Sequence, residues 1–151
     1  MATKTIPKII CMGILDTKGD EIKFLAKQVA AKGAEVRIMD ISLGAEAEWA
    51  DIPLGEVLAA GGLQKEQIFK ASRTEAIELV GRAGATKIMQ LYEAGQVDGL
   101  IAWSGSVGAS VATRAMRALP IGFPKIMMCT LAAGDVGSWL GNKDIYIMNP
   151  I

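Results

Sequence analysis

The sequence has 151 residues, of which 51% are hydrophobic and 21% charged, so we expect one folded domain. Sixteen basic residues balance sixteen acidic ones, which disfavours nucleic acid and anionic membranes as partners. Histidine is absent, which excludes Ser-His-Asp and Cys-His catalysis and His-ligated zinc. Cys11 and Cys129 lie far apart in apolar runs, and no signal peptide is recognised, so we expect a reducing, cytoplasmic location.

Five short apolar runs predict β-strands. They lack strict alternation of apolar and polar residues, which is typical of strands that helices cover on both faces. Three segments between them predict helices, the first two with an apolar face and the third rich in alanine and small residues. Thr17 and Asp20 are spaced as a capping box before the first, and Ser72 and Glu75 before the second. The predicted strands span residues 8–13, 35–41, 99–103, 125–129 and 144–148, the predicted helices span 20–32, 73–94 and 108–118, and residues 42–69 are expected to form a loop with one short helix.

The alternation of strands and helices predicts an α/β fold with a doubly wound, mostly parallel five-stranded sheet. We expect a Rossmann-like or flavodoxin-like three-layer sandwich with strand order 2-1-3-4-5. Residues 1–151 would form a single nucleotide-binding-type domain. Because no helix follows the fifth predicted strand, we expect the chain to be cut from a longer protein, and the alternative is that this strand forms a natural edge of the sheet.

Two glycine-containing turns follow the first and third predicted strands, which flank the point where strand order reverses. Ligands collect there in open α/β sheets, so both turns should face one cleft. The first turn, GILDTKG at residues 13–19, would offer free N–H groups, the positive end of a helix dipole and the charge of Lys18 to an anion. The second contains Ser104, Gly105, Ser106, Val107 and Gly108, whose backbone and hydroxyls suit phosphate oxygens. The alternative for both turns is that the glycines serve tight turns and helix packing.

Further polar residues follow the other predicted strands. Thr130 would line the same cleft, and Asp40 lies where dinucleotide-binding folds place a ribose-binding carboxylate, although a solvated turn carboxylate is the alternative. Asp16, Asp135 and Asp144 could supply oxygen ligands to a phosphate-bound Mg²⁺, but their spacing predicts no metal site, and helix capping is the favoured role for Asp135.

Several segments together resemble the ATP-binding family typified by the tomato mosaic virus resistance protein. They are GILDTKG at residues 13–19, the turn at 104–109, ATRAMRALP at 112–120 and TLAAGDV at 130–136. The resemblance covers nearly the whole chain and implies that it is the amino-terminal half of a longer, two-domain ATP binder, with the carboxyl-terminal domain missing here. It also implies that Asp16, Thr17 and Lys18 contact the nucleotide.

The same resemblance matches Gly105, Ser106 and Gly108 to the family's Gly-Ser-Gly-Gly turn. The sequence departs from the family pattern at Val107 and Ala109, where glycine and threonine are usual. The antiviral role of the plant member depends on a particular partner surface and is not transferred.

These observations favour a nucleotide-binding domain that holds the phosphates of ATP, with Mg²⁺ as a possible companion, and that forms a homodimer. One alternative is a structural or oligomerisation domain whose site has decayed. The other is half of an enzyme that acts on a small phosphorylated or carboxylate substrate.

Overall fold

The structure is a computed structural model and describes residues 5–150. In that range strands and helices alternate along the chain. They are β1 Lys8–Gly13, α1 Leu15–Ala30, β2 Glu35–Asp40, α2 Leu54–Ala60, α3 Lys65–Lys70, α4 Arg73–Glu93, β3 Gly99–Ser104, α5 Ser106–Ala118, β4 Lys125–Cys129, α6 Gly137–Leu140 and β5 Tyr146–Met148. None of the helices described is long and apolar enough to cross a bilayer.

The five strands form one parallel sheet in the order β2-β1-β3-β4-β5. This confirms the predicted doubly wound α/β fold and its strand order. The order reverses between β1 and β3, whose residues pair from Ile9 with Gly99 to Met12 with Ala102. The carboxyl ends of these two strands are therefore neighbours at the edge where ligands bind in such sheets.

Apolar side chains cover both faces of the sheet, which produces three layers. On one face, Ile22, Leu25 and Ala26 of α1 pack around Cys11, and the half-buried Trp103 joins this cluster. On the other face, α2, α4 and α5 pack over the sheet, and Cys129 belongs to their larger cluster. Both thiols are buried and unpaired, as predicted, and burial raises the pKa of Cys11 to about 12.

The predicted long loop contains two helices instead of one. In α2, Leu54, Val57 and Leu58 are all buried, which is the i, i+3, i+4 spacing of an amphipathic helix. In α3, the Gln64 and Gln67 side chains form a reciprocal capping box. The fifth strand is shorter than predicted, and Asp144 lies outside it.

The predicted start of the first helix was wrong. The helix begins at Leu15, so Thr17 lies within its first turn and donates a hydrogen bond to the Ile14 carbonyl at 3.4 Å instead of capping the helix. Lys18 then interrupts the helix with φ −129° and ψ 20°. By contrast, the predicted cap at Ser72 is confirmed, since its hydroxyl accepts a hydrogen bond from the Glu75 N–H at 3.3 Å.

Candidate functional site

A cavity of about 550 Å³ lies where β1 and β3 end, and both predicted turns line it. This volume lies within the range of small-molecule sites, which is about 300–1,000 Å³. The residues that the turns contribute are Ile14, Asp16, Thr17, Lys18, Ser104, Gly105, Ser106, Val107 and Gly108. The two turns thus face one cleft, as the strand order predicts.

The other wall of the cavity was not predicted. It comes from the segment after β2 and from the region where α3 meets α4, and it comprises Leu43, Gly44, Ile68, Phe69, Ala71, Arg73 and Ala76. In the sequence, the spacing of Ser72 and Glu75 indicates where α4 begins, and Arg73 is the first residue of that helix. No local pattern indicates that this start lies opposite β1 and β3, because that depends on how α4 packs on the sheet.

The backbone amides at the start of α1 already have partners within the protein. The Asp16 N–H donates to the Ser42 hydroxyl at 3.2 Å, and the N–H groups of Thr17 and Lys18 donate to the Ile14 carbonyl. The free amides predicted for this turn are therefore mostly occupied. The turn presents side chains to the cavity, chiefly those of Asp16, Thr17 and Lys18.

The amino terminus of α5 is different. Its N-cap residue, Gly105, offers no side chain, and within residues 5–150 no acceptor bonds the N–H groups of Ser106, Val107 and Gly108. A helix start with unpaired amides carries a partial positive charge that favours anions. Because all three of these residues line the cavity, the unpaired amides lie at its edge.

Glycine occupies its positions in the two turns for different structural reasons. A Cβ at Gly13 would lie 2.6 Å from the Ile22 side chain, and one at Gly19 would lie 3.1 Å from the Trp49 ring, so both serve the packing of α1. At Gly105, no neighbouring described atom lies within 4 Å of an added Cβ, and φ is an ordinary −78°. Neither packing nor backbone strain requires glycine there, and Gly105 lines the cavity.

Val107 carries a β-branched side chain at the position where the resemblance implies glycine. The side chain is half-buried and packs against the larger core cluster while also lining the cavity. The cavity keeps its volume of about 550 Å³ with this side chain in place.

Asp40 is fully buried and does not line the cavity. One carboxylate oxygen accepts hydrogen bonds from the N–H and hydroxyl of Ser42, and the other accepts from the Ala47 N–H at 2.8 Å. Burial raises the pKa of Asp40, and the bonds from Ala47 and Ser42 partly offset that rise. Asp40 thus fixes the segment after β2, and neither the predicted ribose contact nor the solvated alternative describes its position.

Three further predicted residues lie away from the cavity. Thr130 is exposed in a turn after β4. Asp135 accepts a hydrogen bond from the N–H of Gly137, the first residue of α6, but the N-cap residue of that helix is Val136 and not Asp135. Asp144 pairs with Lys125 at 2.8 Å. Across residues 5–150, no group of three acidic or cysteine side chains is positioned to hold a metal ion.

Two basic side chains, Lys18 and Arg73, line the cavity together with one carboxylate, Asp16. The Lys18 ammonium is paired with Glu21 at 2.9 Å, and this hydrogen bond lowers the pKa of Glu21. Both members of the pair are more than one-third exposed, so the pair is weak and Lys18 can exchange partners.

The sequence matches the family model described as "Uncharacterised protein family (UPF0261) N-terminal domain" over residues 7–151. It is 39% identical to a UPF0261 protein of Clostridium tetani, over 91% of this chain and 35% of that protein. A UPF0261 protein of Rhizobium meliloti is 34% identical, over 93% of this chain and 35% of the relative.

The ToMV resistance protein Tm-1(GCR237) of Solanum lycopersicum is 29% identical, over 97% of this chain and 22% of that protein. The chain therefore spans 35% of the length of these bacterial relatives and 22% of the tomato protein. The family match covers all but the first six residues and includes both turns that line the cavity. The chain belongs to the UPF0261 family and corresponds to its amino-terminal domain.

Proposed function

We propose that this domain binds a nucleotide and holds its phosphates in the cavity between the two turns. ATP is the nucleotide that the family resemblance implies. The observation that carries the proposal is the meeting, in one cavity, of the unpaired amides of α5 with the side chains of Lys18 and Arg73. Donors and cations that converge on one concave surface are what a polyphosphate requires.

The phosphates would lie at the start of α5. There the N–H groups of Ser106, Val107 and Gly108 and the hydroxyl of Ser106 would donate to phosphate oxygens. Open space beside Gly105 allows an anion to approach the backbone closely. Lys18 would leave Glu21 and contribute charge from the opposite turn. The anion site therefore uses the backbone of one turn and the side chains of the other.

Mg²⁺ fits this arrangement through Asp16. Protein-bound Mg²⁺ commonly uses one or two carboxylates together with substrate phosphates. Asp16 is the carboxylate among the described lining residues, and one of its oxygens accepts a hydrogen bond from the Ala45 N–H at 3.3 Å. Bound Mg²⁺ would neutralise phosphate charge beside this carboxylate.

A pair of titrations tests the role of Mg²⁺. We expect Asp16→Asn to weaken binding of ATP in the presence of Mg²⁺. In EDTA the same change should strengthen binding, because it removes a negative charge beside the phosphates. Weakening under both conditions would contradict a metal-holding role for Asp16.

Isothermal titration calorimetry with ATP and Mg²⁺ tests the nucleotide proposal itself. Lys18→Ala should weaken binding about tenfold, since a hydrogen bond to a charged group contributes about 1.5–3 kcal/mol and Lys18 is partly exposed. Gly105→Val should weaken it at least as much, because the new side chain occupies the open space beside the amides.

Lys23→Ala is the matched control for Lys18→Ala. Lys23 also lies on α1 and pairs with a carboxylate three residues away, but it does not line the cavity. We expect its ATP affinity to equal that of the original chain. Absence of saturable heat at millimolar ATP, or equal losses in the two lysine variants, would overturn the proposal.

A second candidate function, self-association, is favoured by the edge of the sheet at β5. Tyr146 is 61% exposed and Met148 is 40% exposed, and they pair in register with Ile126 and Met128 of β4. Exposed apolar side chains on an edge strand are a surface on which a second copy can pack. Sedimentation equilibrium tests this, with a dimer expected for the original chain and a monomer for Tyr146→Lys.

A further inference from the structure

The cavity has two chemically different walls. The polar wall consists of the start of α5 together with Lys18. The other wall contains the apolar residues Leu43, Ile68, Phe69 and Ala76, here called the apolar wall, together with the charged residue Arg73. Phosphates alone would leave the apolar wall without a partner. A ligand that fills the whole cavity must therefore carry an apolar surface on one side and negative charge on the other.

Phe69 is the aromatic residue of the described lining, and it lies at the rim with 48% of its surface exposed. The helix that carries it, α3, is anchored because the preceding residue, Ile68, is buried in the core and because the Gln64 N–H donates a hydrogen bond to the Gln67 side chain. A half-exposed ring on an anchored helix offers its face to a flat partner at little conformational cost.

We propose that the apolar wall receives the base of a nucleotide, with Phe69 as the stacking surface. The ligand class is then a nucleoside polyphosphate, as opposed to inorganic polyphosphate or a sugar phosphate. The inference rests on the proposed nucleotide-binding function and adds the position of the base. Stacking suits this wall because every base has a flat face, whatever hydrogen-bonding groups its edges carry.

Calorimetry with two ligands, ATP and inorganic tripolyphosphate, tests the placement of the base. Both ligands can occupy the polar wall, but tripolyphosphate has no base. Phe69→Ala should weaken ATP binding about five- to tenfold, the lower range for loss of one stacked base, and should leave tripolyphosphate affinity within about twofold. Phe69→Trp should retain ATP affinity, because tryptophan preserves a stacking face.

Phe24→Ala is the matched control. Phe24 is 58% exposed on α1 and does not line the cavity, so its removal should change neither affinity. Circular dichroism of each variant verifies that the fold is retained, which the exposure of both rings favours.

The outcomes separate this inference from the proposed function. If tripolyphosphate binds but Phe69→Ala weakens both ligands equally, or weakens neither, the placement of the base is overturned while the anion site stands. If the original chain binds neither ligand, the proposed function is overturned, and the inference falls with it.

Discussion

Gly108 lies so close to Ser104 that a Cβ added at Gly108 would lie 2.5 Å from the Ser104 Cβ. Rotation of the serine hydroxyl cannot relieve that overlap, because the Cβ is fixed by the backbone of β3. The same added atom would lie 3.1 Å from the Ile14 side chain. This glycine therefore allows α5 to approach the ends of β1 and β3.

Gly108→Ala should destabilise the protein by about 1–3 kcal/mol, the usual cost of overpacking a core. The direction is diagnostic, because replacing a glycine by alanine within a helix ordinarily stabilises the helix, by up to about 1 kcal/mol in the interior. Urea unfolding measures the change. Gly105→Ala, which meets open space, is the control and should change stability by at most about 1 kcal/mol. Equal effects of the two substitutions would contradict the packing role.

The Glu21 carboxylate, which pairs with Lys18, should compete with a bound anion for the Lys18 ammonium. Glu21→Gln removes the competing carboxylate, so we expect ATP affinity to rise about two- to threefold, in line with the strength of exposed ion pairs. Calorimetry measures the change. Asp20→Asn removes the same charge one residue away but next to Lys23. A similar gain in that variant would show a general charge effect instead of release of Lys18.

The buried Asp40 should stabilise the segment after β2 through its hydrogen bonds to Ser42 and Ala47. In Asp40→Asn, the new amide NH₂ group would face an N–H or hydroxyl donor that the carboxylate now accepts from. We expect the free energy of unfolding to fall by about 1–3 kcal/mol, the cost of an unsatisfied buried polar group. Asp51→Asn is the matched control, because its exposed carboxylate also accepts a backbone N–H, that of Ile38. Urea unfolding at neutral pH should show the larger loss at Asp40.

The pKa of Asp40 also predicts a pH dependence. Because its pKa is raised in the folded state, the folded protein binds this proton more tightly than the unfolded chain. The contribution of Asp40 to stability therefore decreases as pH rises from 3.8 through the raised pKa. Asp40→Asn should lack this decrease, and an identical pH profile in the two proteins would contradict the assignment.

Asp144 should act in the opposite direction. The hydrogen bond from Lys125, followed by that from the Gly122 N–H, lowers the pKa of Asp144 from 3.8 to about 2. Its contribution to stability is present above pH 3.8 and is lost as the pH falls through about 2.

Urea unfolding between pH 5 and pH 2 measures this contribution of Asp144. Asp144→Asn should flatten the decline in stability between pH 3.8 and about 2. Asp20→Asn, which removes a fully exposed carboxylate, is the control. A flattening in the control as large as in Asp144→Asn would contradict a specific role for the Lys125 pair.

Local sequence patterns predicted the central strands well, because each is an apolar run long enough to be buried under helices. The strand order and the convergence of the two turns followed from the rules of doubly wound sheets. The start of α1 was predicted wrongly because the Asp16 N–H donates its hydrogen bond to the hydroxyl of Ser42, which lies 26 residues further along the chain. The spacing of residues around Asp16 cannot indicate a hydrogen-bond partner so distant in the sequence.

The two helices within residues 42–69 did leave signals in the sequence. Pro53 precedes the spacing of Leu54, Val57 and Leu58, and Gln64 with Gln67 has the spacing of a capping box. The role of Asp40 left none, because a carboxylate at the end of a strand can face a ligand or a neighbouring loop with the same local sequence.

The amino-acid sequence by itself determined the fold class, the strand order and the two turns that line the cavity, because these depend on apolar periodicity and on the regular connections of parallel sheets. Tertiary structure decided which groups of those turns are free to bind. The α1 amides donate hydrogen bonds to the Ser42 hydroxyl and the Ile14 carbonyl, while the amides at the start of α5 stay unpaired within the described chain. It also decided that Phe69 and Arg73 complete the cavity, since packing across the sheet brings together residues that are distant in sequence.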